Sequence, residues 1–86
     1  MPDIREVRVT LTTQDDGTVE ARSKEVPGLL LDAEDVQELI PNIPLAIQTT
    51  FQWRGFPHVV VTLVDTKRSD PTTEVQLYEV NLGDQP

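Results

Sequence analysis

Cysteine is absent from all 86 residues, which excludes disulfide staples, thiolate-bound zinc and a cysteine nucleophile together. Positive charge is scarce: seven Lys and Arg stand against fifteen Asp and Glu, for a formal net charge of −8. Long-range attraction to phosphate backbones or anionic lipid is therefore disfavoured, and any protein partner should be basic. No apolar run approaches the ~20 residues of a membrane span. The N-terminus Met1-Pro2-Asp3-Ile4-Arg5-Glu6 lacks the basic-then-apolar pattern of a signal peptide, so the chain is expected to be cytoplasmic. The four glycines, Gly17, Gly28, Gly55 and Gly83, stand alone without a phosphate-cradling spacing, and each reads as a turn. His58, the single histidine, has no carboxylate or nucleophile at a spacing that would serve acid–base chemistry.

What is present is enough for one small domain over residues 1–86, with a core two layers thick and no deep cavity. Ile4 to Thr13 alternates: Val7, Val9 and Leu11 fall on one side, Arg8, Thr10 and Thr12 on the other, the period of a half-buried strand. Gln14-Asp15-Asp16-Gly17 suits a tight hairpin turn. Val19, Ala21 and Ser23 then alternate against Glu20, Arg22 and Lys24 as a second strand. Val26-Pro27-Gly28 interrupts the ladder, and Leu29-Leu30-Leu31 starts a short third strand beside the second.

Asp32 is placed to cap a helix entered at Ala33, with Asp35 also near the positive end of its dipole. Val36, Leu39, Ile40, Ile43, Ala46, Ile47 and Thr50 recur every three or four positions as one apolar stripe. Pro41 and Pro44 predict a kink or break near Asn42. The nearly continuous β-branched run Val59 to Val64 fits a central strand covered on both faces. Glu74 to Leu82 reads as a weaker fifth strand whose alternation slips between Val75/Leu77 and Tyr78/Val80/Leu82, as a bulge or an exchanged edge would produce. Residues 66–86 pair either within the chain or across to another, and 83–86 read as a disordered tail.

These elements predict an α+β fold: a three-stranded antiparallel meander, one kinked helix packed on one face, a fourth strand parallel to the first through a right-handed crossover, and a fifth C-terminal strand. The sheet face away from the helix stays open, which predicts a homodimer or higher homo-oligomer.

The run Asp16-Gly17-Thr18-Val19-Glu20-Ala21-Arg22-Ser23-Lys24-Glu25-Val26-Pro27-Gly28-Leu29, followed by Glu38-Leu39 and Ile43-Pro44-Leu45-Ala46-Ile47, resembles the HicB-like antitoxin family over roughly Val7 to Val64. The resemblance implies a partial ribonuclease H-like sheet that binds and covers a small basic, RNA-cleaving HicA-type toxin. It implies the short form of the family, because nothing after Val64 reads as a DNA-binding segment. On this reading the chain is a non-catalytic inhibitor that binds no nucleic acid directly and needs no metal or cofactor.

Charge and exposure select Asp15, Asp16, Glu20 and Glu25 on the hairpin, and Asp35 and Glu38 on the helix, as partner-binding residues. Phe51, Trp53 and Phe56 around Arg54-Gly55 form either an interface hot spot or a cap on the core at the helix end. Two further readings stand beside the inhibitor: an oligomerising domain that pairs its open sheet edge, and a metal-dependent nuclease. The nuclease would need Glu6, Glu34, Asp35, Glu38 and Asp65 to converge on two ions. A solvated acidic face accounts for the same carboxylates. Asp15 and Asp16 sit in a loop too short to wrap calcium.

Overall fold

A computed structural model describes residues 2–84. Strand β1 (Pro2–Thr13) follows the alternation of its sequence, with Val7, Val9 and Leu11 buried. Its hairpin turns at Gly17, whose φ of 89° lies in the region glycine tolerates. The Asp16 carboxylate fastens that turn by accepting from both the Thr18 amide at 3.0 Å and the Thr18 hydroxyl at 2.6 Å. β2 (Val19–Arg22) returns antiparallel, with Leu11 opposite Ala21. The Val26-Pro27-Gly28-Leu29 corner is a turn closed by the Leu29 amide donating to the Val26 carbonyl at 2.9 Å, with Val26 and Leu29 both buried. β3 (Leu30–Ala33) then pairs antiparallel with β2. The expected three-stranded meander is therefore present.

The helical segment comes in two pieces, α1 (Val36–Leu39) and α2 (Asn42–Trp53). Asp32 does not cap it: Asp32 and Ala33 pair with Glu20 and Val19 as part of β3. Helix entry falls at Asp35, whose carboxylate accepts from the Glu38 amide at 3.1 Å. The interruption lies at Ile40–Pro41. Ile40 keeps helical angles, φ −49° and ψ −49°, and Pro41 has no amide to donate, so the helical ladder is divided there. The Asn42 side chain takes up the Glu38 carbonyl at 2.9 Å. Pro44 sits in the first turn of α2, where amides have no helical partner to lose. Ile43, Ile47 and Phe51 form the buried stripe.

The remaining strands overturn the expected topology. β4 (Val60–Asp70) and β5 (Thr73–Asp84) are joined through Pro71-Thr72, and the sheet order is β3-β2-β1-β5-β4 with every neighbouring pair antiparallel. The fourth strand is not paired parallel to the first, because β5 lies between them. Nor is it the deepest strand: β4 is an edge, with Val60, Leu63 and Val64 exposed by 62%, 45% and 49%. A β-branched run has the same composition at an edge and at a centre, whereas a two-residue connection forces its flanking strands to be antiparallel neighbours. The Asp70 carboxylate holds this turn as Asp16 holds the first, accepting from the Thr72 amide at 2.8 Å and hydroxyl at 2.9 Å.

β5 is central, and its alternation does not slip. Gln76, Tyr78, Val80 and Leu82 are all buried on the helix side, while Val75 and Leu77 are half-buried on the other. The irregularities lie instead in β4, between Leu63 and Asp65 and between Arg68 and Asp70, and at Pro2/Ile4. Residues 66–84 thus pair within the chain. β5 runs on through Gly83 to Asp84, and residues 85 and 86 of the expected tail lie outside the described residues. No helix among the described residues is long and apolar enough to cross a membrane.

Candidate functional site: an acidic end and an open sheet face

Residues directly opposite in a ladder share a face, so the register sorts the charged side chains. Toward the helices point Arg5, Val7, Val9 and Leu11 of β1, against Val80, Tyr78, Gln76 and Glu74 of β5. The open face carries Glu6, Arg8 and Thr10 against Glu79, Leu77 and Val75. Much of this face neutralises itself. Arg8 reaches Glu6 and Glu25, each at 3.8 Å, and the Glu25 carboxylate also accepts from the Arg8 amide at 3.2 Å. Arg22 is ion-paired with Glu20.

Carboxylates gather around the β1–β2 turn and the entry to α1. Glu20 and Glu38 line one shallow depression together with Gln14, Thr18, Asp32 and Glu34. Glu20 comes from β2 and Asp32 from the facing position on β3, while Glu38 folds back from α1 toward the Glu34 amide at 3.4 Å. Among the described residues, Asp32, Glu34, Asp35 and Glu38 make no ion pair. Asp16 is held below the usual carboxylate range by the Thr18 hydroxyl and then by its amide.

Of the six residues selected from the sequence, Glu20 and Glu38 are brought together, Asp35 lines a neighbouring cavity, and Asp15 and Asp16 occupy the hairpin turn. Glu25 is engaged with Arg8 instead. Asp32 and Glu34, read from the sequence as a helix cap and a nuclease carboxylate, were not among the partner-binding residues selected. The polar Asp32 between Leu31 and Ala33 is a strand alternation that could have placed it on an exposed face.

The carboxylates a nuclease would need do not converge. Glu6 and Asp65 lie on the open face, opposite Glu79 and Leu77, whereas Glu34, Asp35 and Glu38 belong to the α1 entry. Among the described residues no group of three His, Cys, Asp or Glu could hold a metal ion.

Beside the acidic depression is a cavity of about 160 Å³ lined by Leu11, Val19 and Val36, with Asp35, Arg68 and Glu74 at its rim. Arg68 reaches Glu74 at 3.4 Å and the Pro71 carbonyl at 3.2 Å. From Glu74 a chain of hydrogen bonds runs into the core. The Gln76 amide donates to Glu74 at 3.2 Å, and the Tyr78 hydroxyl donates to the Gln76 carbonyl at 2.6 Å. Burial, and then the charge of Glu74, push the Tyr78 phenol up to about 12. The phenol therefore stays protonated and satisfies a buried amide.

The aromatic trio divides. Phe51 is buried and Phe56 half-buried, their rings edge-on with centroids 6.3 Å apart. The Arg5 guanidinium lies 5.4 Å from the Phe56 centroid and that of Arg54 lies 5.0 Å from Phe51. These two rings cap the core, while Trp53 is 87% exposed.

Comparisons with protein-family models, with curated proteins and with solved structures return no match to this chain. The neighbour of β1 beyond the meander is β5 rather than the β4 that the crossover rule predicted.

Proposed function

We propose that this chain is a non-catalytic binding protein that captures a basic protein partner with the acidic end of its sheet. The observation that carries the reading is the convergence of Glu20, Asp32, Glu34 and Glu38 on one depression, three of the four making no ion pair among the described residues. Such a surface speeds encounter with a positively charged protein and favours the complex once the acids are paired across the interface. A HicA-type RNA-cleaving toxin is a partner of this chemistry, and occlusion of its basic RNA-binding surface is the proposed consequence. Direct binding of nucleic acid is disfavoured by the same field.

The test is coexpression of the tagged chain with each small basic protein that the adjoining reading frames specify, and adjoining frames that specify none would count against the proposal. Copurification of the two, with relief of any growth defect that the basic protein causes alone, is the expected result. A neighbouring basic protein that neither copurifies nor is neutralised would overturn the proposal.

A further inference from the structure

β4 closes one side of the sheet, so one of its two rows of backbone N–H and C=O groups faces no strand among the described residues. The opposite edge, β3, is only four residues long, and short edge strands resist further pairing. β4 has eleven residues and is exposed over most of its length. Its four charged residues are Asp65, Lys67, Arg68 and Asp70. They sum to zero in a chain of net charge −8, so this edge meets a second copy without the repulsion that other surfaces carry.

Opposite charges face each other about an axis at Thr66 or at Ser69. Arg68 and Asp70, however, stand opposite Glu74 and Thr73, on different faces, and β4 ends at Asp70, so the Thr66 register is selected. In an antiparallel pair about a two-fold axis, each residue and its partner lie at equal distances from the axis. An axis through Thr66 sets Asp65 against Lys67 of the second copy, and the symmetry repeats the pair. Both side chains project from the open face, since they stand opposite Leu77 and Val75 on β5, so they meet on the same side of the joined sheet. The same axis sets Val64 against Arg68, Leu63 against Ser69 and Thr62 against Asp70, with no like charges facing. Axes at Asp65, Lys67 or Arg68 would each set like charges together. The two bulges fall outside Asp65–Arg68, which pairs regularly with β5. In the single chain Lys67 makes no ion pair among the described residues, and Asp65 accepts from the adjacent Thr66 amide at 2.9 Å.

We infer that a second copy of this chain adds to the β4 edge, antiparallel about a two-fold axis at Thr66, with Asp65 of each copy paired to Lys67 of the other. The inference is independent of the basic partner, because it uses the strand farthest in the sheet from β2 and β3. Sedimentation of the full chain should give twice the 9.7 kDa chain mass. Asp65→Lys and Lys67→Asp should each weaken association about tenfold or more, because each sets like charges opposite at two places. Combining the two exchanges should restore the dimer. Thr66→Cys supplies a second readout in a chain without cysteine. Oxidation should link the copies through residue 66, whereas Thr62→Cys, facing Asp70, should not link. Circular dichroism confirms folding of each variant. A monomeric wild-type chain, a dimer indifferent to both single exchanges, or Thr66→Cys linking no better than Thr62→Cys overturns the inference.

Discussion

The Tyr78 hydroxyl donates to the Gln76 side-chain carbonyl at 2.6 Å, two residues away along β5, and both side chains are buried. The Gln76 amide must face the acceptor-only Glu74 carboxylate, so its carbonyl depends on the phenol. Tyr78→Phe keeps the packing and leaves that carbonyl unsatisfied. The expected cost is about 1–3 kcal/mol, read from denaturant unfolding.

Alkaline titration tests the same contact. Tyr78 is the single tyrosine, so tyrosinate absorbance reports on it alone. Its pKa is raised from 10.0 to about 12 in the folded chain, so the folded state holds the proton more firmly than the unfolded state. The associated stabilisation is complete below the unfolded value and is lost as pH rises from there through the folded value. A folded-state midpoint at the ordinary value would contradict the burial described above.

Acid should act on the two hairpin turns. Thr18 and Thr72 hold Asp16 and Asp70 below the ordinary value of 3.8, Asp16 chiefly through the hydroxyl and Asp70 chiefly through the amide. Each carboxylate contributes stability that is present above its unfolded pKa and lost as pH falls through its folded pKa. Asp16→Ala with Asp70→Ala should lower the melting temperature at neutral pH and flatten its decline in acid. An acid limb unchanged by both substitutions would show that other groups set it.

Phe51 and Trp53 should respond oppositely to truncation. Phe51→Ala opens a cavity in the core and is expected to cost about 3–5 kcal/mol, while Trp53→Ala at an exposed position should stay within about 0.5 kcal/mol. Fluorescence of the single tryptophan should be that of a water-exposed indole before and after unfolding. A marked emission shift on unfolding would mean that Trp53 is covered in solution.

The β1–β2–β3 meander was legible in the sequence because its signals are local: alternation states which side chains share a face, and Asp-Gly and Pro-Gly mark the reversals. The place of β4 was not legible from Val59–Val64, since β-branched composition says nothing about which strand lies alongside. The deciding signal was Asp70-Pro71, a turn dipeptide that brings β5 back against β4. Asp32 and Asp35 both fit the cap pattern, and only the pairing of β3 with β2 separates them. That pairing also brings Asp32 to Glu20, so individual acids were readable by charge while their convergence awaited the strand register.

The affinity of the purified chain for a basic protein that copurifies with it on coexpression, compared with that of the Asp32→Lys/Glu34→Lys variant, tests the acidic end most directly. Both positions are exposed and neither carboxylate makes an ion pair among the described residues, so the variant should fold. The account predicts a loss of about tenfold or more, with a shallower dependence on salt. Equal affinity and equal salt dependence for the two chains would contradict it.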